Sequence, residues 1–186
     1  AFAAQQAALR KDGWIIKGTE VLTEAWGFQL EGIVLHGKID RIDHHEGRNE
    51  WRVWDYKTGS TPKPPAKAHL IRAKDDDTDD EQRAWMCVTP ADGKTQRWTD
   101  LQLPLYALAV EHHKADAKAK VSVGYFNLPS AVGDMEAVVW EELDATLRED
   151  ARRCAETAIQ RIREGIFWPP AESGRFDDFA HLILGD

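Results

Sequence analysis

Asp55 and Lys57 stand two apart in the run WRVWDYK, and Asp40 lies fifteen residues upstream in IVLHGKIDRID. Both runs are rich in β-branched and aromatic residues, so both read as strands, over 33–43 and 51–57. Side chains two apart on a strand share a face, so Asp55 and Lys57 point the same way. If the two strands pair as a hairpin, Asp40 comes opposite Asp55, with Cβ atoms about 5 Å apart. Two carboxylates that close repel unless a cation stands between them. Mg²⁺ or Mn²⁺ is the natural occupant, since Mg²⁺ is held by one or two carboxylates together with water and phosphate oxygens. Such an ion polarises a phosphodiester and helps to generate hydroxide. The Lys57 ammonium beside it orients or deprotonates the attacking water and stabilises the charge of the transition state. Glu24 is a candidate further carboxylate, because it interrupts an apolar stripe formed by Leu22, Trp26, Phe28 and Leu30. Glu20, of the same parity, is the second choice.

These side chains need rigid elements. Residues 1–12 form an Ala-rich helix closed by Asp12-Gly13. From Glu20 the period becomes two, which gives a first strand, followed by turns at Glu31-Gly32 and HHEGRNE that complete a three-stranded meander. Gly59 and the prolines of TGSTPKPP end it. The stretch 62–97 has little periodicity and reads as an acidic insertion or mobile loop, either a gate or a projection into solvent. A helix follows over about 100–113, with Leu101, Leu105, Leu108 and His112 as its core-facing stripe. VSVGYFNL and EAVVW are two further strands, and 142–165 is a long amphipathic helix stopped by Gly165. The order of elements predicts an α/β sheet with helices packed against it, as one domain over 1–186.

Hydrophobic residues make up 42% and charged ones 30% of the 186. A chain of this length buries roughly two-thirds of its unfolded surface. No apolar run approaches the ~18 residues of a membrane span. Cys87 and Cys154 have neither a disulfide-framework pattern nor metal-ligand spacing, which points to a reducing cytoplasm. AFAAQQAALR lacks the basic and apolar regions of a signal peptide and reads as a helix entered mid-chain, as expected of a domain cut from a longer protein. The formal charge of −8 weighs against a polyanionic partner, but six of the acids sit in DDDTDDE and leave about −2 for the rest.

GKIDRID at 37–43, WDYKTG at 54–59 and DLQLPLYALA at 100–109 resemble the successive signatures of RecB-like nucleases of the PD-(D/E)XK superfamily, a group that includes the nuclease domains of RecB and AddB and the CRISPR-associated exonucleases. The resemblance spans residues 20–128 and implies a restriction-endonuclease-like fold, a mixed central sheet flanked by helices. It implies that Asp40 and Asp55 are metal ligands, with Glu24 at the upstream acidic position. Lys57 becomes the catalytic lysine, with Gln102 and Tyr106 forming a Q-x-x-x-Y element. The implied activity is that of an Mg²⁺- or Mn²⁺-dependent DNA nuclease, an exonuclease on single strands or duplex ends. Its setting is DNA repair or recombination, with a helicase in the same or a partner chain. Members with an iron–sulfur cluster carry a late cysteine group. GIFWPPAESGRFDDFAHLILGD contains none, so no cluster is expected.

Each residue also has a plainer reading. Asp55 and Lys57 alone would be a surface ion pair, and Arg41 and Asp43 a solvated face. Thr99-x-x-Gln102 fits a capping box, and Tyr106 fits the core with a satisfied hydroxyl. The paired histidines at 44–45 and 112–113 read as solvated, since adjacent side chains diverge. The alternative for the whole chain is a DNA-binding or scaffolding domain of a helicase–nuclease complex that has lost cleavage. The intact Asp40, Asp55, Lys57 set speaks against it.

Overall fold

The protein is described from a computed structural model that covers residues 1–59, 61–74, 77–90, 93–114, 118–131, 133 and 135–167. Five strands make the central sheet. β1 (Trp14–Leu22) pairs antiparallel with β4 (Lys38–His45), which pairs antiparallel with β5 (Glu50–Lys57). β5 runs parallel to β9 (Lys120–Asn127), and β10 (Glu136–Val139) closes the far edge antiparallel to β9. The order β1-β4-β5-β9-β10 is a mixed α/β sheet consistent with the restriction-endonuclease-like fold. The parallel β5/β9 pair needs a long crossover. That crossover includes α2 (Pro65–His69), β6 (Leu70–Arg72), β7 (Cys87–Val88), β8 (Gln96–Trp98) and α3 (Gln102–Lys114).

Strand alternation divides the sheet into two faces. Arg41, Trp54, Tyr56 and Phe126 face α1 (Phe2–Asp12), whose Phe2 ring lies 5.3 Å from that of Phe126 and whose Gln6 accepts from Arg41. On the opposite face Val53, Val121 and Val123 join Leu103, Ala107 and Val110 of α3 in the main core. Leu147, Ala151 and Cys154 of α4 (Ala145–Arg163) belong to the same core. Asp144 caps α4 by accepting from the Leu147 amide at 2.8 Å, and Gly165 follows its end with φ 71°.

Several expected elements differ from those observed. The first strand is Trp14–Leu22 and ends before Glu24, because Thr23 bonds across the turn. Its amide and hydroxyl donate to Gly37 O at 2.9 and 3.2 Å, and its hydroxyl also lies 3.0 Å from Leu35 O. Glu24–Trp26 then forms one 3-10 turn, closed by Gly27 at φ 65°. The strand expected over 33–43 is broken. Its first part, β3 (Ile33–Val34), pairs with β2 (Gln29–Leu30) in a small hairpin. On α3 the expected stripe is rotated. Leu103, Tyr106, Ala107 and Val110 face the main core, whereas Leu101, Leu105 and Leu108 are half-buried against Phe28, Leu30 and Ala155, and His112 is exposed. Two apolar surfaces flank this helix, so a single stripe could not describe it.

The stretch 62–97 carries its own elements, with β6, β8 and β7 forming a three-stranded antiparallel sheet in that order. Asp77, from the acidic run, is fully buried, accepts from the Lys74 amide and lies 3.6 Å from Arg97 Nε. Asp75 and Asp76 fall outside the described residues, as do residues 168–186, which make up most of the cysteine-free tail. No helix among the described residues is long and apolar enough to cross a membrane.

Candidate active site

β4 and β5 position the two aspartates. Their register sets Arg41 opposite Trp54 and Ile42 opposite Val53, which carries Asp40 toward Asp55 at the end of the ladder. Asp40 is half-buried, and its Oδ2 accepts from the Tyr56 amide at 2.7 Å. Asp55 is only 7% exposed. Lys57 Nζ is 2.7 Å from Asp55 Oδ2, yet that oxygen lies buried with no aligned hydrogen bond, so the contact is an ion pair. Burial pushes the Asp55 carboxyl above its ordinary range. Lys57 opposes this rise, and the charges of Asp40 and Asp100 add to it. The site therefore concentrates negative charge around an oxygen that lacks a full partner, which fits a hard divalent cation.

Lys57 is held from three sides. Beyond Asp55, Gln102 Oε1 accepts from its ammonium at 3.5 Å, and the Tyr125 ring centroid lies 4.8 Å away. Gln102 is free to reach it because the capping box that was its plainer reading does not form. Asp100 caps the helix start, accepting from the Gln102 amide at 2.7 Å, while the Thr99 hydroxyl donates to His69 O. Tyr106 sits one turn further on, and its hydroxyl donates to Lys38 O at 3.1 Å, at the beginning of β4. It braces the strand that carries Asp40. Gly37 permits this approach, since a Cβ there would lie 2.8 Å from Tyr106 Cε1.

The structure thus brings together Asp40, Asp55, Lys57 and Gln102, with Tyr106 behind them. Glu24 occupies the 3-10 turn, where Oε1 meets His36 Nδ1 at 3.3 Å and Oε2 is buried without a hydrogen-bond partner. Glu20 is largely exposed, has φ 52° and pairs with Lys38. Arg41 and Asp43, for which a solvated face was the plainer reading, are buried as a two-bond pair of 2.6 and 2.7 Å, with Trp54 Nε1 also donating to Asp43. They lie beneath α1 because their parity is opposite to that of Asp40. The paired histidines stack on aromatic rings, with His44 on Trp51 at 4.1 Å and His113 on Trp26 at 4.6 Å.

Sequence reasoning missed three neighbours of this centre: Asp100, His69 and Tyr125. An acidic residue just before a helix was a legible cap signal for Asp100. His69 and Tyr125 had none, because a nonlocal contact joins them. His69 is wholly buried on α2. Its Nδ1 bonds Asp100 O and its Nε2 bonds the Tyr125 hydroxyl, each at 2.9 Å. Burial lowers the His69 pKa below the usual 6.5, against the pull of Asp100.

Among the described residues no group of three or more His, Cys, Asp or Glu side chains is arranged to hold a metal by itself. Asp40 and Asp55 would have to share the ion with water and substrate oxygens, as Mg²⁺ usually requires. With the Lys57 ammonium alongside, such a centre can activate water against a phosphodiester. A search of curated proteins finds no match to the chain. The family model of the PD-(D/E)XK nuclease superfamily matches residues 2–175, nearly the whole chain and all of the site, and the chain belongs to that superfamily.

Proposed function

We propose that the protein is an Mg²⁺- or Mn²⁺-dependent deoxyribonuclease of the RecB-like branch, acting as an exonuclease on DNA ends alongside a helicase in repair or recombination. The observation that carries the catalytic part is the buried, incompletely partnered Asp55 oxygen, set among Asp40, Asp100 and the Lys57 ammonium. Burying a carboxylate among other acids, with one ammonium as its partner, is costly. It persists where a cation supplies the missing interaction. The RecB-like assignment rests on the order and spacing of GKIDRID, WDYKTG and DLQLPLYALA, and the helicase link and cytoplasmic setting rest on that resemblance and on cysteine usage.

In this reading Asp40 and Asp55 would hold the ion together with water and substrate oxygens, and Glu24, paired with His36 in the 3-10 turn, would stand outside that ligand set. Bound there, such an ion would supply Lewis acidity toward the phosphodiester and lower the pKa of a water. Lys57, fixed between the Asp55 carboxylate and the Gln102 amide, directs its ammonium at the attacking water and the phosphoryl oxygens. Water oxygen bonds to phosphorus, the bond to the leaving sugar oxygen breaks, the water's proton passes to solvent, and the leaving oxygen takes up a proton from solvent. Lys57 matters most when negative charge peaks, which is the condition for accelerating the step. Tyr106 keeps β4 at its height, so Asp40 stays beside Asp55.

End-labelled single- and double-stranded DNA, incubated with Mn²⁺, Mg²⁺ or EDTA and resolved on a gel, tests the reading. Stepwise shortening from labelled ends in either metal, absent in EDTA, is expected. DNA that stays intact with every cation while still bound would overturn it in favour of a scaffolding domain.

A further inference from the structure

We propose that His69 and Tyr125 form a buried positioning pair that seats the Lys57 ammonium, so that the 62–97 segment supplies part of the active site. The inference rests on the reading of Lys57 as the electrostatic group of the nuclease. The geometry is a chain of contacts. Asp100 O can only accept, so the proton of a neutral His69 sits on Nδ1 at that 2.9 Å contact. Nε2 is then an acceptor, and the Tyr125 hydroxyl donates to it at 2.9 Å. His69 cannot swing away, because its ring stacks on Trp140 at 5.1 Å with the planes 24° apart. The flanking backbone is fixed too, with Thr99 N donating to His69 O and Leu70 paired with Trp98.

Tyr125 lies on β9 directly beside Asp55 of β5 and is 1% exposed. Anchored at its hydroxyl, the ring presents its face to Lys57 Nζ at 4.8 Å, within the range of a cation–π contact. The ammonium is thus restricted on one side by an aromatic surface. Asp55 and Gln102 then set its direction. A side chain with four rotatable bonds needs such a seat, since a loosely placed group loses much of its catalytic value. His69 touches none of the reacting groups and acts through Tyr125, its own ring being fixed by the bond to Asp100 O. Both are positioning residues.

The test combines NMR with kinetics on the full chain. In ¹³C-edited spectra the Lys57 ε-methylene signal, identified by its loss in Lys57→Arg, should lie upfield of the other lysines because of the Tyr125 ring. It should move to the bulk position in Tyr125→Leu and only part of the way in His69→Gln and in Tyr125→Phe, each of which keeps the ring but removes its anchoring hydrogen bond. In single-turnover cleavage with Mn²⁺, Tyr125→Phe and His69→Gln should each lower the rate constant roughly 3- to 10-fold, the scale of one hydrogen bond, with little change in half-saturating DNA. The double variant should be no slower than the worse single variant, and neither change should matter in the Lys57→Ala background. A Lys57 signal among the bulk lysines in the folded parent would overturn the proposal, as would equal slowing with and without Lys57. The NMR arm is independent of turnover. If the parent cleaves no DNA but the signal is shifted, the nuclease reading fails and the seat stands.

Discussion

Asp40 and Asp43, three positions apart on β4, face opposite sides of the sheet and meet opposite fates. Asp43 is buried with Arg41 and Trp54, so its charge is satisfied inside the protein. Removing one partner of such a pair strands the other, typically at a cost of about 3–5 kcal/mol. Asp43→Ala should therefore lower the urea midpoint severely, and a midpoint close to the parent's would show that the pair contributes little. Asp55 should respond in the reverse way. Asp55 is a carboxylate held above its ordinary pKa mainly by burial, so replacing it with the neutral isostere removes a strained charge. In EDTA, Asp55→Asn should melt no lower than the parent. In Mn²⁺ the parent should gain thermal stability by ligand linkage and the variant should not. Calorimetric titration should likewise show Mn²⁺ binding weakened in Asp40→Asn and Asp55→Asn, and equal affinity in all three proteins would refute the ligand assignment.

At the scale of elements, the site depends on close backbone approaches at β9 and before β4. A Cβ on Gly124 would lie 2.4 Å from Val138 O and 2.8 Å from the Trp54 ring, so the β10 edge and the β5 core would have to move. Gly124→Ala should cost about 1–3 kcal/mol, as overpacking does. Hydrogen exchange should show faster opening of Glu136–Val139, and unchanged protection there would contradict the packing account. The same distinction between local and distant causes explains what the sequence disclosed. Asp55 and Lys57 were legible as a same-face pair because strand parity is local, and Asp40 followed from the hairpin. The first strand was misplaced because the turn at Glu24 is imposed by Thr23 bonding to residues 12 and 14 positions ahead. Gln102 was legible as a motif residue, whereas its release from a capping role depended on Asp100 taking the cap. His69 and Tyr125, 56 residues apart, meet only after β6 and β8 have paired and β9 has joined β5.

Across the whole molecule, two sheets meet near the candidate site, and the buried histidine between them gives stability a pH signature. Burial depresses the His69 pKa below its ordinary 6.5, so between the depressed and ordinary values the unfolded chain binds a proton that the folded chain does not. Stability then rises with pH through that window and falls on acidification. His44 and His113, also depressed by burial, act in the same direction. Urea midpoints taken from about pH 7.5 down to 5 should fall less steeply for His69→Gln than for the parent, and parallel slopes would show that His69 titrates normally. The acidic formal charge of −8 does not prevent a local cationic surface, since Lys67, Arg72, Lys74 and Lys94 line one groove on the smaller sheet. The central claim is narrower: Lys57 stabilises charge in a metal-assisted phosphodiester cleavage. Its most direct test is the single-turnover cleavage rate of Lys57→Ala against the parent at saturating Mn²⁺, read beside DNA-binding isotherms in Ca²⁺. The account expects a rate lower by roughly 10² to 10³ or more with DNA affinity nearly unchanged. Cleavage at the parental rate by a folded Lys57→Ala protein would contradict it.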